Sequence, residues 1–558
     1  MIADLDQSES AELSGIDVAI IGSGPAGATL ARELKDSGLR ICVLESGQRA
    51  PTAHGDMLRR VQSEGIHIKP HSRERVVGGA STTWSGLSSP LDPVDLEQRP
   101  YLRPCAWPIG GAELADLYSQ AAQRYRFPAP ELFSPSGDFA ALRGNGQLQP
   151  EWRGLEEKIF LAAARAQDYG REWLDTYDGE AVTLYTDATL LRLEETAGCV
   201  TSGTLRTRGG REVRLHAKVF VLATGGIENA RLLLNSALGN EHDQVGRYLM
   251  NHPKNYHGIL ELDSPVEDAP YFFGCLVRGS AGYAGLRLPL AEQRQRELLN
   301  SYVRFEPLFP WSDNDGVECL VQLVKRSSGV LTFWRKSQGD KVVSLRDYSE
   351  TGDDADTVLA RRGLLGALGL VARIALHLPS VCAYAFYRLS GAKPKIRRVR
   401  VRNFMEMEPH PDNRVVLGTE QDPYGQPVPL VQHRCSELDR RSLLALHEVL
   451  EAELPRAGLG RFHSTLEKET PWPIDQDASH HMGTTRMGRD PELSVVNPHG
   501  RVHGLANLYC AGGSVFPTSG CANPTFTIVA LSIRLARHLR EHLPGGAAPG
   551  AEPDEADA

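Results

Sequence analysis

"DVAIIGSGPAGATLARELKDSGLRICVLESG", residues 17 to 47, decides the fold. Val18 to Ile21 form an apolar run, and Ala26 to Leu34 follow helical spacing. Gly38 ends that helix, and Ile41 to Leu44 form a second apolar run. Gly22, Gly24 and Gly27, with Pro25 and Ala26 among them, stand where the first run meets the helix. The first glycine permits a tight turn, the second lets a pyrophosphate approach the backbone, and the third lets helix and strand pack closely. The helix N-terminus then faces the phosphate charge. Glu45 closes the second run, where an acid bonds a ribose hydroxyl and would repel the extra phosphate of NADP. Strand, turn, helix, strand and acid in this order predict a dinucleotide-binding domain. They do not separate NAD from FAD.

A second glycine-rich stretch, "RVVGGASTTWSG" (75–86), offers Gly78 and Gly79 followed by Ser81, Thr82 and Thr83, whose N–H groups and hydroxyls suit further cofactor contacts. Its bland alternative is a loop around one buried residue, Trp84. "KVFVLATGG" (218–226) reads as a strand running into the helix-like "IENARLLLNS", and "NLYCAGG" (507–513) as a short strand before a turn. Residues 255–474 have a different texture of short strands, acidic loops and helices. The expectation is an α/β chain with a Rossmann-like domain and a second, α+β substrate-binding domain. A mobile leader spans 1–15, the dinucleotide domain 16–254 with a return at 475–542, the substrate domain 255–474, and a disordered acidic tail 543–558.

The 558 residues suffice for two domain-sized cores with a site between them. A net charge of −9 argues against a nucleic-acid binder. Nine scattered cysteines without a Cys-x-x-Cys pair form neither a disulfide framework nor a zinc knuckle, which fits a reducing cytoplasm. The acidic, polar "MIADLDQSES" is no signal peptide. Residues 364–386 have the length of a membrane span, but Arg373, His377 and Pro379 lie inside it. One or two amphipathic helices packed on the body are expected there, with a lid or a lipid contact as the alternative.

"SHHMGTTRMG" (479–488) places two histidines side by side. On an extended segment their side chains alternate, so they do not share one site, and no further ligands at suitable spacing accompany them. No metal site is expected.

Together with "VGRYLMNHP" and "NLYCAGGSVFPTSGCANPTFTIVALSIRLARHL", these stretches resemble, in order, those of the glucose–methanol–choline (GMC) oxidoreductases, FAD-dependent alcohol oxidases and dehydrogenases. The likeness covers the dinucleotide domain; the middle third matches only in vaguer pieces such as "EMEPHPDNRVVLG". The second glycine loop resembles that of pyranose oxidases and their bacterial relatives. There a histidine before the tryptophan often bonds the flavin covalently. Thr83 stands at that position, so the resemblance implies non-covalent FAD. It also implies cofactor contacts from Ala223, Thr224, Gly225, Gly512, Gly513, Asn523, Pro524 and Thr525.

The family's His-x-x-Gly-Thr motif is assigned to His481, ahead of Gly483 and Thr484, with His480 facing away. The second active-site position falls on Asn523, which also reads as a helix cap before Pro524. The implied chemistry is oxidation of an alcohol to an aldehyde or ketone. His481 takes the hydroxyl proton and FAD the hydride, with oxygen or a quinone-like compound reoxidising the flavin. Substrate identity rests on the middle domain, where Trp311, Trp334, Glu406 and Glu408 are candidate pocket residues. The pyranose-oxidase flavour suggests a sugar, polyol or aminoglycoside, and Asp353, Asp354 and Asp356 would suit a cationic one. The alternatives are a lyase or decarboxylase on the same fold, a simple aliphatic or aromatic alcohol dehydrogenase, and a flavin-binding protein without turnover.

Overall fold

A computed structural model describes the chain except for residues 103–105, 135–136, 146, 164, 278–279, 310, 327–363, 391, 393, 467–478 and 544–558. Trp334, Asp353, Asp354, Asp356, the 474/475 domain boundary and all but the first residue of the expected tail lie outside the described residues.

Two sheets organise the molecule. In the first, Glu12–Ile21 is flanked in parallel by Ile41–Leu44 and Glu212–Leu222. Val182–Thr186 extends one side, and Leu508–Cys510 pairs with Glu212–Leu222. Val18, Ile20 and Val221 on one face and Ala19 and Phe220 on the other are fully buried, as expected when both faces of a parallel sheet are covered. The helix Pro25–Leu34 lies on one face and packs on the C-terminal helix Thr525–His542. The turn strand–Gly22–helix is thus built where the sequence predicts it.

The second sheet is antiparallel. Tyr302–Leu308 and Ile396–Phe404 pair along their length, with Ile259–Val266 beyond. Its inner-face residues Val303, Phe305, Val399 and Val401 pack against the helix Glu437–Arg456. The sheet also takes in Glu156–Ala163, a strand from within the expected dinucleotide domain. That domain is therefore less contiguous than its expected boundaries.

Residues 1–15 are not a mobile leader. Ile2–Asp4 pairs in parallel with Val182–Thr186, and Glu12–Ile21 starts inside the segment. Ile2, Ala3 and Asp4 are too short a run to read as a strand from sequence, and it is pairing with the neighbouring strand that makes them β. Residues 364–386 fall in two helices, Leu364–Leu376 and Leu378–Ser390, which meet at 88° and pack against Asp315–Arg326. No single described helix is long and apolar enough to cross a membrane. Trp311 packs there against Tyr384 and Tyr387.

Candidate active site

A cavity of about 600 Å³ runs from the turn at Gly22 to the second sheet. At the near end Gly22 has φ +104° and a Cβ there would stand 2.6 Å from the Ala223 carbonyl, so only glycine makes the turn. A Cβ on Gly24 or Gly225 would meet nothing, since both face open space along the cavity. The helix Pro25–Leu34 starts without a side-chain cap, leaving its first amides to an incoming anion. This cradle of open glycines and uncapped amides fits the pyrophosphate of FAD. Asn229 fixes its far wall by donating to the Leu222 and Ala511 carbonyls and accepting from Thr224. That ties the Ala223–Gly225 turn to the one at Gly512.

Pro25, Ala26, Glu45, Gly79, Ser81, Thr83, Trp84, Ala223, Thr224, Gly512, Gly513, Asn523, Pro524 and Thr525 all line the cavity. Gly27 does not, but packs against Gly22, the role its position implies. Gly78 and Thr82 depart from expectation. Gly78 is left-handed against Gly170, and the Thr82 hydroxyl turns back to the Gly79 carbonyl. Glu45 is buried and already engaged: one oxygen accepts from the Ser23 N–H and hydroxyl, the other from the Gly47 N–H. It braces the turn as well as facing the cofactor space. Glu406 is no pocket residue: fully buried, it receives both amino groups of Arg99 and the Asn300 N–H. Glu408 does not line the cavity; its N–H donates to Asp439.

Both adjacent histidines line the cavity, contrary to the expectation that His480 faces away. The segment is not a regular strand. An antiparallel bridge joins Met250 to Met482, and the same register carries His252 opposite His480. Their Nδ1 atoms lie 2.9 Å apart, and His252 Nε2 lies 2.9 Å from the Gly520 carbonyl. A carbonyl only accepts, so His252 carries its proton on Nε2. Burial pushes its pKa down to about 4, so the ring is neutral and Nδ1 is bare. His480 must then donate from Nδ1, which leaves its Nε2 as an acceptor.

His481 has the opposite tautomer. The Ser72 hydroxyl donates to the Lys69 carbonyl at 2.6 Å, so its oxygen accepts from His481 Nε2 at 3.0 Å. The remaining lone pair, on Nδ1, is shut off from solvent without a partner. Burial, reinforced by the Arg73 guanidinium, pushes this histidine down to about 3. In this arrangement Nε2 donates to Ser72 and Nδ1 opens onto no solvent, so His481 is placed less favourably than His480 to take a proton from a bound alcohol. The His-x-x-Gly-Thr spacing, counted back from Gly483 and Thr484, also falls on His480, with His481 and Met482 between.

Asn523 is not the helix cap. Pro524 takes that position, and no hydrogen bond of the Asn523 side chain to the described residues is found. Its amide is left for the cavity, which it lines beside His480. Sequence reasoning missed His252 and the far wall of Lys254, Tyr256, Tyr302, Arg304, Glu306 and Arg402. The period-two alternation of "YVRFEPL" was a signal for Tyr302, Arg304 and Glu306, and His252 stands inside the quoted stretch "VGRYLMNHP".

A family model described as GMC oxidoreductase matches residues 409–532, and one described as FAD dependent oxidoreductase matches residues 17–280. The chain is 25% identical to paromamine 6'-oxidase of Streptomyces fradiae, over 93% of this chain and 90% of the relative. It is 25% identical to C-glycoside 3-oxidase of Microbacterium trichothecenolyticum, over 95% and 97%. Among solved structures, a formate oxidase of Aspergillus oryzae RIB40 superposes with a TM-score of 0.51 at 16% identity, over 94% of this chain and 98% of that one.

Proposed function

The chain belongs to the GMC oxidoreductase family of FAD-dependent enzymes, and from that premise we propose that it oxidises a CH–OH group of a sugar, polyol or aminoglycoside-type substrate, with His480 as the base. The observation that carries this reading is the chain of hydrogen bonds from Gly520 through His252 to His480. It makes Nε2 the acceptor nitrogen of the His480 ring.

Asn523 and His480 hold the alcohol oxygen between them, the amide by donating and the imidazole by accepting. As the C–H bond breaks, the hydroxyl proton passes to His480 Nε2. When bound, FAD supplies the two-electron acceptor that takes the hydride, so the alcohol leaves as an aldehyde or ketone. His252 stays neutral and turns the ring; it is a positioning residue. His481 and Ser72 act as a wall. A lyase or decarboxylase is not favoured, since relatives along the whole length carry oxidase names.

The finer features belong to the same proposal. FAD is held non-covalently, because Thr83 has no nucleophilic nitrogen. Its hydroxyl instead donates to the His71 or Ala80 carbonyl. Oxygen or a quinone-like compound reoxidises the flavin, and the free cysteines suit the cytoplasm. The test is anaerobic bleaching of the bound flavin against sugars, aminoglycosides and aliphatic alcohols, followed by reoxidation with oxygen or a quinone. Bleaching by a sugar-like alcohol is expected; no bleaching by any alcohol would overturn the reading.

A further inference from the structure

The far wall of the cavity is one face of the antiparallel pair Tyr302–Leu308 and Ile396–Phe404. Register places Tyr302 opposite Phe404, Arg304 opposite Arg402 and Glu306 opposite Arg400. Alternate residues share a face, so these pairs form one continuous surface, while Val303, Phe305, Val399 and Val401 turn to the core. Tyr302, Arg304, Glu306, Arg402 and Phe404 all line the cavity, and Lys254 joins them from the strand beside Phe404.

Two arginines directly opposite on neighbouring strands repel each other. Glu306 does not compensate both. It lies 3.4 Å from Arg402 and 3.8 Å from Arg400, on the side away from the Tyr302–Phe404 pair. Arg304 is only 5% exposed. Its guanidinium donates to the Phe273 carbonyl at 3.3 Å and stands 4.4 Å over the Tyr283 ring. Its Nε has no hydrogen-bond partner, and among the described residues no carboxylate lies within ion-pair distance of it. A buried guanidinium facing another cation, with only a ring and a carbonyl against it, is costly unless an anion completes the set.

We propose that the substrate carries an oxyanion, a carboxylate or a phosphate, which Arg304 binds together with Arg402 and Lys254. This rests on the alcohol-oxidising reading and narrows it, from polycationic aminoglycosides to acidic or phosphorylated sugar-like alcohols. The stacked Tyr302 and Phe404 rings, 4.6 Å apart, give the apolar flank that a sugar ring needs beside its charge. Arg304 also supplies a planar fork that matches either oxyanion.

The test uses holoenzyme and ring-sized probes without a hydroxyl: cyclohexanecarboxylate, cyclohexyl phosphate and cyclohexylammonium, titrated by the perturbation of flavin absorbance. One of the anions should bind at least ~10-fold more tightly than the ammonium probe, and the tighter one identifies the oxyanion. Arg304→Gln should cut that preference by about 10- to 100-fold, the range for a charged hydrogen bond, with partial recovery in Arg304→Lys. Lys254→Gln, at a partly exposed site, should reduce it in the same direction and covers the case in which the Arg304 variant fails to fold. Equal or tighter binding of the ammonium probe would overturn the proposal, as would anion affinity unchanged in the variants. The probes cannot be oxidised at a hydroxyl, so the two readings fail separately. Anion binding without bleaching by any alcohol sinks the oxidation, and bleaching by neutral alcohols without anion binding sinks only the oxyanion site.

Discussion

His252 and His480 face each other through their Nδ1 atoms at 2.9 Å, and the Gly520 carbonyl decides which of the two donates. Because that carbonyl claims the proton on His252 Nε2, the tautomer of His480 is set by a backbone group from the loop before Asn523. The proposed base and the Asn523 amide thus both depend on one short stretch, Gly520 to Asn523.

Replacing His252 tests this relay. His252→Leu removes the acceptor for His480 and should slow flavin reduction by on the order of 10- to 100-fold, as loss of an orienting partner does. His252→Gln can still donate to Gly520 and accept from His480, so it should recover much of the rate. Rapid-mixing measurement of bleaching by one alcohol compares the two. Equal loss in both variants would mean that His252 only packs.

The same residue carries a signature in stability. The unfolded chain protonates His252 near 6.5 and the folded one only near about 4. As pH falls through that window the unfolded state binds the extra proton, so His252 lowers the stability of the fold progressively. His252→Gln should therefore show a shallower loss of stability between about pH 6.5 and about 4 than the parent protein, read by urea unfolding at stepped pH.

Glu45→Ala should weaken FAD retention. It should also destabilise the apoprotein by about 1–3 kcal/mol, because the Ser23 and Gly47 N–H groups lose a buried acceptor. Flavin titration and urea unfolding measure the two effects. Lower stability with normal FAD affinity would make Glu45 a brace alone.

Acid or heat should release all flavin from the denatured chain as free FAD, since Thr83 cannot form the bond that a histidine would. Flavin absorbance that stays with the precipitated polypeptide would contradict this.

The dinucleotide turn was legible because its strand, glycine spacing, helix and acid fall within one short stretch, even though the Gly22 turn itself closes on the distant Ala223 carbonyl and only Gly27 packs on a near neighbour, Gly22. What failed was set by distant partners or by a one-residue offset. The strand Ile2–Asp4 exists only because Val182–Thr186 lies beside it. Asn523 reads as a cap, but Pro524 takes that place and releases the amide to the cavity. Glu406 looked like a pocket acid until Arg99, far away in sequence, closed on it. The choice between His480 and His481 needed their partners, His252 and Ser72, which the sequence holds far from both. The basic wall escaped notice for the same reason: Arg304 and Arg402 are nearly a hundred positions apart and meet only through strand register.

The measurement that bears most directly on the account is flavin reduction in His480→Ala beside His481→Ala, by anaerobic rapid mixing with one reducing alcohol from pH 5 to 9. General base catalysis contributes about 10²- to 10⁴-fold, so His480→Ala should slow bleaching by that factor while FAD stays bound. His481→Ala should slow it far less and leave the pH profile unchanged, because a histidine pushed down to about 3 is neutral throughout that range. If His481→Ala is the slower variant, or if it abolishes the pH dependence of bleaching, the base is His481 and the relay through His252 is not part of the mechanism.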